Sequence, residues 1–285
     1  MAPATRPRRP RRRSRRRWRA SGLRPRALGS VLLAVAVLAG AGIATKAVFF
    51  AGTGAPPVCR ASAGTAAFSL DLEQAANATT VAAVGKRMSM PDHAVTVALA
   101  ATLQESRLHN LAHGDLDSLG IFQQRPSQGW GTPARIMTPY LAAGAFYTRL
   151  AGVEGWQTLS VTAAAQAVQR SAAPNAYAQW ESEARVLAQA LTGEVSAGLT
   201  CRFDAAQAVP DATLAQAMTQ ELGPPALGTS VTAARGWTVA SWLVGHAQRF
   251  HLTSVAFGGQ RWTPSGAWDQ AASAGSQVEI GPSTS

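Results

Sequence analysis

Glu105 is the residue whose type and surroundings best suit acid–base chemistry in this chain. It closes an apolar, helix-like run that begins at His93, and a turn-rich segment with further carboxylates follows. Cleavage of a glycosidic bond needs a carboxylic acid that is still protonated near neutral pH, and apolar walls raise the pKa of a glutamate for that role. Ile121, Phe122 and Trp130 come shortly afterwards and predict such walls. A glutamate at a helix end is usually solvated, so the flanking motif decides its interpretation.

Two short segments carry that motif, namely Gln104–Ser106 (QES) and Gly120–Gln123 (GIFQ). Lysozyme-like transglycosylases have a Glu-Ser pair at the end of a helix, then a hairpin region, then Gly-(Leu/Ile)-Met-Gln. Over about residues 68–193 the chain therefore resembles the lysozyme-like superfamily, in its soluble lytic transglycosylase and goose-type lysozyme branch. Phe122 stands in place of the usual methionine, which is a conservative apolar change.

The resemblance implies a role for each matching position. Glu105 corresponds to the general acid, and Ser106 to a residue that supports the site. Gln123 corresponds to a residue that lines the sugar groove, and we assign its neighbour Gln124 to the same groove. The implied substrate is the glycan strand of peptidoglycan, and no cofactor is predicted.

A second carboxylate is less well matched. Gly114-Asp115 resembles a Gly-Asp pair of goose-type lysozymes, so Asp115 is a conditional catalytic helper. Arg125 stands where a further family carboxylate is expected. This departure favours the transglycosylase mechanism, in which one glutamate acts as acid and then as base. The C6 hydroxyl of the sugar attacks, and the product is a 1,6-anhydro sugar.

Other residues are predicted to contact the sugar. The family has Ala-Tyr-Asn-Ala-Gly on a later helix, and the match at Ala167–Ser171 is poor, with Gln169 in place of the asparagine. We therefore add Gln169, Tyr177 and Trp130 as predicted binding residues, because aromatic faces suit pyranose rings, although core packing is the commoner role of aromatic side chains.

His109 and His113 suggest a metal pair by their spacing. Gly114 and Asn110 favour a loop instead, and no third ligand is evident. We interpret the two histidines as exposed polar residues beside the groove, and no metal is predicted.

The elements that position these residues are predicted to be mainly α-helical. We expect a lysozyme-like helical domain with a small β-hairpin insertion after its second helix, a small α+β C-terminal domain and one N-terminal transmembrane helix. Apolar spacing, caps and breakers predict the following helices: Leu70–Met88, His93–Glu105, Pro139–Leu150, Thr162–Arg170, Tyr177–Leu191, Ala212–Leu222 and Ala233–His251. Strands are predicted at Thr253–Phe257 and Gln260–Trp262.

The N-terminal region is predicted to direct the chain to the membrane. The net charge of +11 comes from residues 1–26, which hold 12 arginines and no acid, whereas the rest of the chain has 14 basic and 15 acidic residues. A basic domain face that would indicate nucleic-acid binding is therefore not expected. Residues 1–26 are predicted to be a cytoplasmic tail, and residues 27–50 a single-pass anchor with the bulk of the chain outside the cell. A cleaved signal peptide and a secreted chain are the alternative.

The remaining boundaries follow from composition. Residues 51–67 and 194–210 are predicted to be linkers, 211–270 the C-terminal domain and 271–285 a disordered tail. Cys59 and Cys201 flank the central block, and outside the membrane a pair of cysteines favours a disulfide over two buried thiols.

Two functions from different classes remain open at this point. One is glycan-strand cleavage, as a lytic transglycosylase or muramidase, and the other is non-catalytic binding of cell-wall glycan on the same fold. The predicted C-terminal domain itself loosely resembles a small C-terminal module of other exported actinobacterial wall proteins. The predicted partners are peptidoglycan and, through the N-terminal helix, the membrane; the sequence predicts no oligomeric state.

Overall fold

The computed structural model describes residues 56–204, 212–224, 227–271 and 275–281. The predicted cytoplasmic tail (1–26) and membrane anchor (27–50) lie outside these ranges, so both remain predictions. Within the described ranges, no helix combines the length and apolarity that a membrane span requires.

The described chain is a mixed α/β structure in which helices predominate. Its helices, in chain order, are α1 (Leu72–Arg87), α2 (Asp92–Ser106), α3 (Pro133–Ile136), α4 (Pro139–Ala151), α5 (Val161–Gln169), α6 (Glu181–Leu191), α7 (Ala212–Leu222) and α8 (Ala233–Gly245). The strands are β1 (Val58–Ala63), β2 (Ala66–Leu70), β3 (Leu199–Arg202), β4 (Val255–Phe257), β5 (Gln260–Trp262), β6 (Trp268–Gln270) and β7 (Glu279–Ile280).

Helix α2 is the central helix, and most of its residues are buried. It ends because Arg107 and Leu108 adopt left-handed backbone conformations, with φ of 54° and 64°. Side chains of α1 accommodate this exit: Gln74 donates to the Arg107 carbonyl at 2.9 Å, and Asn77 donates to the Leu108 carbonyl at 2.7 Å. The chain therefore turns sharply one residue after Ser106, with Glu105 in the last turn of the helix.

The segment that follows α2 differs from the predicted hairpin insertion. It forms turns with a single antiparallel bridge between Leu119 and Gln124, and it contains none of the strands β1–β7. Gly120 sits in this turn with φ of 77°, and an added Cβ would lie 2.7 Å from the Ile136 carbonyl oxygen. Dense turn residues and this close approach to α3 leave too little extended backbone for a ladder.

The predicted linkers on either side of the helical block also differ from the structure. Part of residues 51–67 and part of residues 194–210 form strands of one antiparallel sheet, in the order β2-β1-β3. Cys59 faces Cys201 in the β1–β3 register, and the two residues form a disulfide. The predicted disulfide is therefore confirmed. The strands were not predicted, because composition does not show pairing between segments that are distant in the sequence.

The C-terminal helices pack on α1 instead of standing apart from it. Glu221 on α7 accepts hydrogen bonds from Thr80 at 2.6 Å and from Trp242 at 2.8 Å, and all three side chains are buried. The residues that the structure describes form one compact unit with a continuous apolar core. The boundary predicted at residue 211 is therefore not a boundary between separate cores.

The last sheet has the order β6-β5-β4-β7. Trp262 on β5 donates to the Cys201 carbonyl at 3.1 Å, and this bond connects the sheet to β3. Residues 271–285 were predicted to be disordered, but β7 lies in this range and pairs with β4. The tail prediction is therefore wrong for Glu279–Ile280.

Removing the disulfide should destabilise this fold strongly. The bond joins residues 142 positions apart, and cross-linking so long a loop restricts the unfolded chain. We expect Cys59→Ala/Cys201→Ala to lower the free energy of unfolding by about 3–5 kcal/mol, measured by urea denaturation of the full chain. Reductant should destabilise the wild type to the same extent and leave the double variant unchanged; equal midpoints for both proteins would contradict the prediction.

Candidate active site

Glu105 lies in a groove of about 620 Å³ between the end of α2, the turns that follow it and the end of α5. The carboxyl group is half-buried, and the lining includes Gln123, Trp130 and Gln169. Four residues that the sequence analysis singled out from separate segments therefore share one groove.

Tyr177 holds the carboxyl group of Glu105 from below the groove. Its hydroxyl donates to Glu105 Oε1 at 2.7 Å, and its side chain is fully buried. The segment that carries it is fixed to α2, because the Trp180 indole donates to Gln104 Oε1 at 2.9 Å. Tyr177 was predicted to contact the sugar; its burial makes it a positioning residue instead.

Burial is the main influence on the protonation of Glu105. Desolvation raises the pKa of its carboxyl group above 4.5, while hydrogen bonds from Tyr177 and Gln169 act in the opposite direction. The Tyr177 hydroxyl itself stays protonated, because its burial and the neighbouring Glu105 raise its pKa. Glu105 thus combines a raised pKa with access to the groove, and both properties suit a general acid.

The two motif segments meet directly beside Glu105. Ser106 Oγ donates to the Ile121 carbonyl oxygen at 2.7 Å, and the Thr102 carbonyl oxygen in α2 is a second, longer acceptor at 3.2 Å. Ser106 is buried and is absent from the groove lining, so it supports the site and does not reach a ligand. The resemblance implied a supporting role for Ser106, and its hydroxyl bonds to the backbone beside Glu105.

The glutamines have different positions. Gln169 donates to the Phe122 carbonyl at 2.8 Å and forms a hydrogen bond with Glu105. Gln123 lines the groove, and its backbone has a left-handed conformation. Gln124 was also predicted to bind substrate, but it is 1% exposed and donates to the Ala142 carbonyl at 3.1 Å. Gln124 is therefore an interior residue that fixes the turn to α4.

The two aspartates near the motif, Asp115 and Asp117, differ in their contacts. Asp117 forms an ion pair with Arg125, and it also accepts from the Ser127 backbone at 2.8 Å. These hydrogen bonds hold its pKa well below the usual range. Asp115 is exposed and lines the groove, so it is the second carboxylate that a bound ligand would meet.

The structure adds groove residues that the sequence analysis missed. Arg149 on α4 stacks its guanidinium 3.5 Å from the centre of the Trp130 ring, and Val168 and Arg170 line the opposite wall. Arg149 lies 19 positions from its stacking partner, and no sequence motif links them. The helical period of α4 could only indicate which face Arg149 occupies.

The two histidines do not form a metal site in the described structure. His109 lies 3.0 Å from a carboxylate oxygen of Glu73 and 3.6 Å from one of Asp71. No group of three or more metal-ligating side chains occurs among the residues described.

Comparisons with known proteins give no assignment. A scan against protein families finds no match to the chain, and a search of curated proteins finds no significant relative. A functional assignment therefore depends on the geometry of this groove and on the motif around Glu105.

Tyr177→Phe should raise the pKa of Glu105 further, because it removes a hydrogen bond that favours the carboxylate. An NMR titration of the labelled glutamate carboxyl carbons measures this shift. Tyr140→Phe is the matched control, since Tyr140 does not line this groove. An unchanged or lower pKa in the Tyr177 variant would show that the hydrogen bond does not act on Glu105.

Glu105→Gln should change the pH dependence of stability. With a raised pKa the folded state binds this proton more tightly than the unfolded state, so the stabilisation is present below about pH 4.5 and is lost as pH rises through the folded pKa. The glutamine variant should therefore gain stability relative to the wild type on going from acidic to neutral pH. Urea denaturation across this range measures it, with the exposed Glu154→Gln as control. If the free energy of unfolding of the glutamine variant falls relative to that of the wild type as pH rises, desolvation does not raise the pKa of Glu105.

Proposed function

We propose that this chain is a lysozyme-like enzyme that cleaves the glycan strands of peptidoglycan outside the membrane, with Glu105 as general acid and base. The observation that carries the proposal is the half-buried carboxyl group in an open groove, with a raised pKa and a hydrogen bond from buried Tyr177. Acid catalysis of glycoside cleavage needs a carboxyl group that combines a raised pKa with access to the substrate.

The motif geometry supports the lysozyme-like assignment of residues 68–193. The Glu-Ser pair ends the central helix, and the Gly-Ile-Phe-Gln segment contacts it through Ser106 and the Ile121 carbonyl. Two matches that are separate in the sequence therefore belong to one groove.

The chemistry follows from one carboxyl group. Glu105 donates its proton to the glycosidic oxygen as the bond from that oxygen to C1 breaks, and positive charge develops on the sugar ring. The resulting carboxylate then accepts the proton of the C6 hydroxyl, whose oxygen attacks C1 and closes a 1,6-anhydro ring. If water attacks in place of that hydroxyl, the same steps give hydrolysis and a reducing end.

The arrangement of the other carboxylates favours the anhydro product. Asp117 is paired with Arg125, and it is not among the residues that line the groove. Asp115 lines the groove, but it is exposed to solvent. A mechanism that depends on a second, fixed carboxylate therefore has less support than one that uses Glu105 twice.

The proposed location is the outer face of the cell membrane. The disulfide between Cys59 and Cys201 supports an oxidising, extracytoplasmic environment. The arginine-rich start and the apolar run at 27–50 support a single-pass anchor with a cytoplasmic N-terminus, and cleavage with secretion is the alternative.

Incubation of the full chain with purified peptidoglycan tests the proposal. The wild type should release muropeptides with 1,6-anhydro ends, and Glu105→Gln should lower the rate by about 10²–10⁴-fold, as expected when a general acid is removed. Mass spectrometry separates anhydro from reducing ends, and Glu154→Gln should retain the wild-type rate.

Two other outcomes would change the assignment. Binding of peptidoglycan without products from any variant would support the non-catalytic glycan-binding alternative. Products that are unaffected by Glu105→Gln would contradict the role of this residue.

A further inference from the structure

The groove continues past Trp130 into a second cavity of about 430 Å³. Trp130 and Arg149 line both cavities, so their stacked pair forms the boundary between them. The second cavity lies between the end of α1, the start of α3 and one face of α4. A ligand that fills the groove over Glu105 can therefore extend a substituent into it.

The second cavity is cationic. Arg87, Arg135 and Arg149 line it, and no aspartate or glutamate does. In the described part of the chain, none of these three arginines forms an ion pair with a carboxylate. Three guanidinium groups around an open cavity without a protein counter-charge attract an anionic ligand.

Arg149 is held in place before any ligand arrives. One terminal nitrogen donates to the carbonyls of Gln128 at 3.1 Å and Gly129 at 2.9 Å, while its plane rests on Trp130. Fixing a guanidinium in this way lowers the entropy lost when it binds an anion.

Much of the remaining lining is apolar or aromatic, and Thr148 adds one hydroxyl group. Met88, Tyr140, Leu141 and Ala145 form this part of the wall. A small inorganic anion would leave these surfaces uncovered, whereas a chain that carries both carboxylates and aliphatic groups would cover them.

We propose that this second cavity is a subsite for the carboxylates of the peptide substituents on the glycan strand. The inference rests on the proposed function, and it identifies the part of the substrate that the second cavity binds. The sugar backbone near Glu105 carries no charge that would engage the arginines, whereas the attached peptides carry carboxylates that fit the arginine fork. Strands that carry peptides are then preferred over uncharged chitin strands of equal length.

Binding to the full chain with Glu105→Gln tests this without cleavage. The probes are a neutral chitin hexasaccharide and a peptide-bearing muropeptide oligomer of equal glycan length, titrated by isothermal calorimetry. We expect the peptide-bearing oligomer to bind about tenfold more tightly. Adding Arg87→Gln and Arg135→Gln should remove about fivefold of that preference and leave hexasaccharide affinity unchanged. Arg60→Gln, at an exposed position outside both cavities, should have no effect.

The failures of the two proposals can be told apart. Equal binding of both probes, or a loss of hexasaccharide affinity that matches the loss for the peptide-bearing oligomer, overturns the subsite while the glycan groove stands. Binding of neither probe overturns both proposals. A phosphorylated, peptide-free oligomer that binds more tightly than the peptide-bearing one overturns the assignment to carboxylates.

Discussion

The carbonyl oxygen of Ile121 accepts a hydrogen bond from Ser106 at the point where the central helix ends. This contact fixes the turn segment against the last turn of α2, so that Glu105 faces the groove that the segment encloses. The contact depends in turn on the sharp exit of α2, which Gln74 and Asn77 hold by hydrogen bonds to the next two carbonyls. A longer helix would carry the chain past the groove, and the site would not form.

Burial gives Glu105 its chemical character, and several distant segments provide that burial. Tyr177 comes from the segment before α6, and Gln169 from the end of α5. Each of them moderates the effect of desolvation by favouring the carboxylate. The net effect is a raised pKa, which is the property that the proposed mechanism with one carboxylate uses.

The two ends of the described chain stabilise this helical core. Strand β1 pairs with β3 and is cross-linked to it, and the C-terminal sheet contacts β3 through the Trp262 indole. Helices α7 and α8 cover α1 through a buried glutamate whose oxygen has two donors. A buried carboxylate is tolerated only when it is hydrogen-bonded in this way.

Sequence alone determined the helical segments and the residue at the centre of the site. Caps, breakers and apolar spacing indicated most helices close to their observed bounds, because these signals act over a few residues. The prediction missed α3, and it extended α8 to His251 although this helix ends at Gly245. The motif indicated Glu105, Ser106 and Gln123, and the cysteine count indicated the disulfide. Tertiary structure decided what depends on contacts between distant segments: strands inside two predicted linkers, the burial of Gln124 and Tyr177, and the arginines around the second cavity. Strand pairing, burial and charge clustering are set by neighbours in space, and spacing along one chain does not record them.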